Sequence, residues 1–269
     1  MSPPAPKLGI IAGGGALPRL LIGACKADGR EHFVLGLSGF ADAALPTDAL
    51  VRLGEVGKAF DTLKAAGVKE VVMAGTVHRP SIAELQPDLK CATFFAKLAG
   101  RVLGDDGLLA AIIDGIEREG FKVIGADSIL VELLTPPGVL GRHQPDADAK
   151  ADIARGLDVA RALGAVDVGQ AVVVQQGVVL GVEAAEGTDA LLARCASLAM
   201  DAPGGVLVKT KKPQQERRAD LPTIGVDTVH NAKAGGLRGI AAEAGHSLMI
   251  GRAEIITAAD EAGLFVVGA

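Results

Sequence analysis

The sequence contains no tryptophan and no tyrosine, and only seven of its 269 residues are phenylalanine. Proteins that bind single-stranded nucleic acid without sequence preference stack the bases on aromatic side chains, and this chain has few of them. Its net charge is −5, whereas a nucleic-acid-binding surface carries an excess of lysine and arginine. We therefore expect no nucleic-acid partner.

Cysteine is scarce as well, since the chain has only Cys25, Cys91 and Cys195, far apart in the sequence. An odd and widely spaced set forms no disulfide framework and is typical of a reduced, cytoplasmic protein. The sequence also lacks an apolar signal core at its start. Its longest uncharged apolar stretch, Val168–Val182, is interrupted by glutamines and is shorter than the about 20 residues that a membrane span needs. We expect a cytoplasmic protein whose membrane contact is peripheral.

The sequence does contain a regular alternation of strand and helix patterns. Short apolar runs such as "KLGIIAG", "HFVLGL" and "VKEVVMAG" predict strands. Between and after them, "LPRLLIGACKADG", "VGKAFDTLKAAG" and "GLLAAIIDGIEREG" place apolar residues at helical spacing. Such alternation predicts a parallel sheet covered by helices.

A segment rich in proline and turn residues, 133–152, interrupts this alternation. After it, "QAVVVQQGVVLGVEA" has the pattern of a β-hairpin, which adds antiparallel strands. We therefore predict an α/β protein with two α/β domains. Residues 1–135 form a Rossmann-like domain with a parallel sheet, and residues 136–269 form a mixed-sheet α/β domain that carries the catalytic residues.

Gly13, Gly14 and Gly15 lie between the first predicted strand and the first predicted helix. Backbone amides at such a turn favour an anion such as a diphosphate, and the alternative is a tight turn that needs small residues. The cluster does not follow the G-x-G-x-x-G pattern of dinucleotide-binding proteins, and no acidic residue follows the second strand. Both observations count against a nicotinamide-dependent oxidoreductase.

Thr76, His78 and Arg79 follow the predicted strand "VKEVVMAG". Ligands of parallel α/β sheets bind at the carboxyl ends of the strands, and a histidine beside an arginine suits a phosphate. The alternative is a solvated loop. We assign these residues and the three glycines to substrate binding.

The stretch "VLGVEAAEGTDALL" places Glu183 and Glu186 after a strand, and Thr188 and Asp189 at the start of a helix. Carboxylate oxygens at such a position can hold a hard cation such as magnesium. The alternative is a solvated turn in which Thr188 or Asp189 caps the helix. We predict that the two glutamates bind metal and that Thr188 and Asp189 bind substrate.

Residues 209–218 hold five cations although the chain as a whole is acidic. The cationic and neutral polar residues of this basic segment are Lys209, Thr210, Lys211, Lys212, Gln214, Gln215, Arg217 and Arg218. Such a loop suits phosphates, because arginine binds them bidentately and lysine acts as a point charge. The alternative is a solvated surface loop.

Asp227 stands between the apolar run "TIGV" and the helical pattern "DTVHNA". It either caps that helix or ligates a metal and orients water. We predict that Asp227, Lys209 and Arg217 are catalytic and that Asp227 also binds metal. Within the same region, we assign substrate binding to Thr210, Lys211, Gln214, Arg218 and Thr228.

Five motifs together resemble the UDP-2,3-diacylglucosamine pyrophosphatases of lipid A biosynthesis found in many alphaproteobacteria. They are "GIIAGGGALP", "VMAGTVHRP", "GVEAAEGTDALL", "GGVLVKTKKPQQERRADLPTIGVDTV" and "IAAEAGHSLMIGR". The resemblance covers nearly the whole chain. It implies two α/β domains with the substrate between them, and a magnesium-dependent hydrolase. We expect manganese to substitute for magnesium. The products would be UMP and 2,3-diacylglucosamine 1-phosphate (lipid X), after attack of water on the phosphorus attached to the sugar.

The partner implied by this resemblance is an acylated UDP-sugar, met by a cytoplasmic protein at the inner face of the inner membrane. A homodimer is among the assemblies expected. The first alternative is a nucleotide-sugar or dinucleotide-binding protein that does not hydrolyse its ligand, and the second is a Rossmann-type oxidoreductase. Carboxylates beside cations favour the hydrolase over a protein that only binds.

Overall fold

The computed structural model describes residues 5–78, 85–98, 105–201 and 203–269. These residues form two compact units. Unit 1 contains the described residues up to Leu130 together with the short segment Glu216–Asp220, and unit 2 contains Val131–Gln215 and Leu221–Ala269. Each unit is described by itself.

Unit 1 is built on a sheet that has five parallel strands among the described residues, in the order β3-β2-β1-β4-β5. The strands are β1 (Leu8–Ala12), β2 (His32–Leu37), β3 (Ala49–Val51), β4 (Glu70–Ala74) and β5 (Lys122–Val123). The helices are α1 (Leu17–Ala27), α2 (Val56–Ala65), α3 (Leu89–Leu98) and α4 (Asp105–Arg118). The order reverses between β1 and β4, which is the position where open α/β sheets bind ligands.

The core of unit 1 forms because α2 and α4 each bury an apolar face against the sheet. Leu63 of α2 and Ile113 of α4 are fully buried with Leu35 and Val71 of the strands. The segment Glu216–Asp220 completes this unit, because its Ala219 packs against the same core.

Unit 2 is built on a sheet that has six strands among the described residues, in the order β6-β13-β11-β9-β7-β8. The strands are β6 (Gly138–Leu140), β7 (Ala171–Gln175), β8 (Val178–Val182), β9 (Val206–Lys209), β11 (Gly239–Ala242) and β13 (Phe265–Gly268). Strands β9, β11 and β13 are parallel, and β6, β7 and β8 are antiparallel to their neighbours. A separate parallel pair consists of β10 (Thr223–Ile224) and β12 (Leu248–Met249).

Helices cover both faces of the unit 2 sheet. They are α5 (Ala147–Ala165), α6 (Gly187–Cys195), α7 (Val226–Ala234) and α8 (Arg252–Ala262). Residues of α5 share one core cluster with Val206 and Val208 of β9, and residues of the other three helices share another with Leu207. The central strands are therefore apolar on both faces, and their polar residues are confined to the strand ends.

These sheets confirm the predicted fold class, with a parallel sheet in the N-terminal part and a mixed sheet in the C-terminal part. The predicted β-hairpin is present as β7 and β8, joined through Gln176 and Gly177 at positive φ. Within the described ranges, no helix combines the length and the apolarity that crossing a bilayer requires.

Candidate active site

Polar residues of unit 2 gather at one edge of its large sheet. The parallel strands β9 and β11 end there with Lys209 opposite Ala242, and the antiparallel strand β7 begins there with Ala171 opposite Lys209. Because β8 runs back alongside β7, Glu183 comes to the same edge directly after β8. We call this position the Lys209 edge.

A chain of hydrogen bonds links three predicted site residues at the Lys209 edge. Lys209 Nζ donates to Thr188 Oγ1 over 2.9 Å, and that hydroxyl donates to Glu183 Oε1 over 2.6 Å. Lys209 Nζ also donates to the backbone oxygen of Thr223 over 3.1 Å. The second Glu183 oxygen accepts from the Gln170 backbone amide over 3.0 Å. Lys209 and Glu183 are 7% and 6% exposed, and these bonds offset the cost of burying two charged groups.

Two further residues belong to this edge. Thr210 is fully buried, and its hydroxyl has no hydrogen-bond partner among the described residues. Glu243 follows β11 and accepts from the Lys211 backbone amide over 2.9 Å and from Arg161 over 3.1 Å. Sequence reasoning did not single out Glu243. It follows the apolar strand "GIAA" as Glu183 follows β8, so the same signal of an acid at a strand end would have found it.

Asp227 and Thr228 lie in the first turn of α7, directly after β10. Gly225 is the N-cap residue, and its backbone amide donates to the Thr228 hydroxyl over 3.2 Å. The alternative reading of Asp227 as the N-cap residue is therefore wrong. The Asp227 side chain is exposed at the positive end of the helix dipole, where it can meet a ligand.

Three more side chains of the basic segment are bonded to unit 2 itself. Lys211 Nζ folds back onto backbone oxygens of its own loop, at 3.0 Å from that of Gln215. Lys212 pairs with Asp167 over 2.5 Å, and Gln214 donates to a backbone oxygen of α5 over 2.6 Å. These contacts hold the loop in place, and each uses a donor that the sequence analysis gave to substrate phosphates.

Arg217 and Arg218 belong to unit 1, apart from Lys209 in the division of the chain. Arg217 pairs with Asp127 over 2.6 Å. Arg218 pairs with Glu216 over 2.9 Å and with Glu117 over 2.8 Å, and these carboxylates, Glu216 first, raise the pKa of its guanidinium. Both arginines are therefore held by carboxylates of unit 1, and their assignment to catalysis and substrate binding stays a prediction.

The carboxylates predicted to bind metal have different surroundings. Both oxygens of Glu183 accept hydrogen bonds from the protein. Glu186 is exposed and pairs with Arg194 over 2.8 Å; a hydrogen bond from its own backbone amide, followed by Arg194, lowers its pKa. Within the part of the chain that the structure describes, no three His, Cys, Asp or Glu side chains form a group able to hold a metal ion. Glu183, Glu186 and Asp227 therefore do not form one site of three carboxylate ligands. The exposed Asp227 is the one of the three whose surroundings fit a single carboxylate ligand, and its metal role stays a prediction.

Other predicted residues occupy separate positions. Asp189 accepts from Asn231 over 2.9 Å, and because the N-cap residue of α6 is Glu186, capping by Thr188 or Asp189 is wrong. His78 is exposed after β4 in unit 1. Arg79 lies outside the described residues.

In unit 1, the glycine cluster meets the end of β4 where the strand order reverses. The Gly13 amide donates to the Ala74 backbone oxygen over 2.8 Å, and Gly14 and Thr76 exchange two backbone hydrogen bonds of 2.9 Å each. Two of the three glycine amides are thus used inside the protein. This geometry favours the tight turn over an anion cradle made by all three amides.

Replacing Gly75 by alanine should lower the free energy of unfolding by about 2–4 kcal/mol. Gly75 has φ +93°, and a Cβ atom there would lie 2.3 Å from the Gly14 backbone oxygen. The matched control is Gly15→Ala, since Gly15 has φ +86° but nothing within 4 Å of an added Cβ. Urea denaturation measures both variants, and equal midpoints would contradict the role of Gly75 in this close contact.

The fold and the site define an α/β protein of two units, in which polar residues of unit 2 gather where parallel strands end, the position at which α/β sheets bind ligands. The N-terminal domain model of the LpxI family matches residues 7–133, and the C-terminal domain model matches residues 136–267. The chain therefore belongs to the LpxI family.

Two known proteins were compared with this chain, one by sequence and one by structure. The UDP-2,3-diacylglucosamine pyrophosphatase LpxI of Caulobacter vibrioides is 47% identical over 272 residues, which covers 97% of this chain and 97% of that protein. Among solved structures, the precorrin-6A reductase CobK is 13% identical with a TM-score of 0.35, over 97% of this chain and 86% of that chain. The second likeness is too weak to carry an argument.

Proposed function

We propose that this protein hydrolyses the diphosphate of UDP-2,3-diacylglucosamine to UMP and 2,3-diacylglucosamine 1-phosphate, in lipid A biosynthesis. The observation that carries the proposal is the buried, hydrogen-bonded Lys209 at the edge of unit 2. It provides a fixed positive charge in a chain that shares 47% identity with a relative named for this activity.

In the proposed reaction, water attacks the phosphorus attached to the sugar, and the bond from that phosphorus to the bridging oxygen breaks. The oxygen from water stays on 2,3-diacylglucosamine 1-phosphate, and UMP leaves. Negative charge develops on the phosphoryl oxygens and on the leaving phosphate. Lys209 stabilises this charge because its ammonium is already oriented by Thr188 and Thr223.

Asp227 acts beside Lys209 in this proposal. Lys209 bonds to the backbone oxygen of Thr223 in β10, the strand that leads into the helix of Asp227. The Asp227 carboxylate orients the attacking water and accepts its proton. A magnesium ion held by Asp227 and substrate oxygens would neutralise the diphosphate.

The test incubates the pure protein with UDP-2,3-diacylglucosamine and follows UMP by chromatography. We expect UMP and the acylated sugar phosphate in equal amounts. Stable binding of the substrate without UMP would instead favour the alternative, a protein that binds a nucleotide sugar and does not hydrolyse it.

Metal dependence is a separate prediction. Lysine and arginine side chains rarely neutralise both phosphates alone, so EDTA should abolish UMP release, and added magnesium or manganese should restore it. The control adds EDTA already saturated with magnesium, which leaves the protein in the same chelator without removing metal. Full activity in excess EDTA would remove magnesium from the mechanism.

Two interactions of the whole protein are also proposed. The acylated substrate resides in a membrane leaflet, so the protein would contact the inner face of the inner membrane peripherally and remain cytoplasmic. A homodimer is the proposed assembly. Co-sedimentation with lipid vesicles and light scattering measure these two properties independently.

A further inference from the structure

Glu183 has the surroundings of a residue that holds another side chain in position. Its Oε2 accepts from the Gln170 backbone amide over 3.0 Å, and its Oε1 accepts from the Thr188 hydroxyl over 2.6 Å. Both carboxylate oxygens are thus bonded to donors of the protein itself, and the side chain is 6% exposed. These contacts fix the position of both oxygens.

The direction of the hydrogen bonds follows from the chemistry of Thr188. A hydroxyl has one proton to donate and can also accept, whereas an ammonium group only donates. Because Lys209 Nζ donates to Thr188 Oγ1 over 2.9 Å, the single Thr188 proton is directed at Glu183. The order of donation is therefore Lys209 to Thr188 to Glu183.

We propose that Glu183 is a positioning residue that acts through Thr188 to hold the Lys209 ammonium at the sheet edge. The proposal rests on the proposed function, since it assigns this role within the same reaction. A charged acceptor polarises the hydroxyl between them and strengthens the bond from Lys209. The long lysine side chain, which has four rotatable bonds, is thereby restricted to one position before substrate arrives.

A double-mutant cycle tests this order of action. Thr188→Val removes the hydroxyl and should lower kcat/KM by about 10- to 100-fold, the effect of losing one hydrogen bond to a charged group. Glu183→Gln should also lower kcat/KM, and the double variant should be within about threefold of Thr188→Val alone. Thr188→Ser keeps the hydroxyl and should restore most of the activity.

Losses that multiply in the double variant would overturn the proposal, because they would show that Glu183 acts independently of Thr188. So would a normal kcat/KM in Glu183→Gln. The magnesium concentration that gives half-maximal rate provides a third readout. If Glu183→Gln raised it and Thr188→Val did not, Glu183 would be a metal ligand and the positioning role would be wrong.

Asp152→Asn is the matched control for loss of a buried carboxylate. Asp152 is 1% exposed and accepts from the backbone amides of Gln176 and Gly177 over 3.1 and 2.7 Å. Those residues form the turn between β7 and β8, at the opposite end of the strands from Lys209. The control should lower stability and leave kcat/KM of the folded protein unchanged.

The same cycle, measured by urea denaturation, does not depend on the reaction. Coupled unfolding free energies for Glu183→Gln and Thr188→Val would support the chain of hydrogen bonds in the free protein, and additive values would overturn it. If the wild-type protein released no UMP while the coupling was present, the proposed function would fail and the positioning of Lys209 would stand.

Discussion

Asp227→Asn should fold normally and turn over UDP-2,3-diacylglucosamine at least about 10²-fold more slowly than the wild-type protein. The substitution is nearly isosteric and the side chain is exposed, so packing is unchanged. Stability should fall by at most about 1 kcal/mol, because a negative charge near a helix N-terminus is lost. Turnover falls because a neutral amide is a poor magnesium ligand and cannot accept a proton from water.

The matched control for this variant is Asp148→Asn. Asp148 is exposed and is the second residue of α5, as Asp227 is the second residue of α7. Both substitutions remove the same charge from the same helix position. UMP release under substrate saturation measures turnover, and thermal unfolding measures stability. Near wild-type turnover in folded Asp227→Asn would take Asp227 out of the mechanism.

Lys209→Met should lower kcat/KM by about 10²–10³-fold, the range measured when one fixed electrostatic stabiliser is removed from an active site. Methionine is close to lysine in length and apolar volume, so the buried position remains filled. The ammonium that bonds to Thr188 and to the Thr223 backbone oxygen is lost. The negative charge that develops on the diphosphate is then no longer stabilised by a fixed ammonium group.

Lys212→Met tests whether any nearby cation has the same effect. Lys212 lies in the same basic segment, in the loop that follows β9, but it pairs with Asp167 over 2.5 Å. Replacing Lys212 should lower stability, because this ion pair is lost, and should leave kcat/KM within about threefold of wild type. Steady-state kinetics at one ionic strength compares the two variants. Equal losses in both would mean that the net charge of the loop matters and the placement of Lys209 does not.

The Lys209 edge could be predicted because it follows from local patterns. An apolar run that is buried on both faces ends in its first polar residues, and parallel strands end together. This reasoning places Lys209 and Glu183 at one sheet edge, as the structure does. It does not show that Lys209, Thr188 and Glu183 are within hydrogen-bond distance of one another. It also does not predict the bond from Lys209 to the Thr223 backbone oxygen, because every residue has a backbone oxygen and the residue type does not mark it as an acceptor.

The partners of the two arginines in the basic segment could not be predicted from local sequence patterns. Arg217 pairs with Asp127, 90 residues away in the sequence, and Arg218 pairs with Glu117, 101 residues away. A cluster of cations in one stretch of sequence indicates one charged surface only if its side chains point to the same place. These arginines are instead bound by carboxylates that tertiary folding brings to them.

Helix α8 (Arg252–Ala262) was not predicted from the sequence. The helix is rich in alanine, and its buried residues are Ile255 and Ala259. Because alanine is only weakly apolar, the buried and exposed faces of the helix differ little in hydrophobicity. The helix is stabilised by the sheet on which it packs more than by its own periodicity. Where amphipathic contrast is strong, as in α4, the prediction and the structure agree.

Unit 1 is discontinuous in the sequence, because it includes Glu216–Asp220 as well as the residues up to Leu130. A ribosome makes the chain from its N-terminus, so the strands of unit 1 emerge long before Arg217 and Ala219, which supply its late ion pair and core contact. Most of unit 2 is synthesised in the interval. Unit 1 can therefore complete its contacts only after most of unit 2 has been synthesised. The final folding step of unit 1 has to follow the synthesis of that part of unit 2.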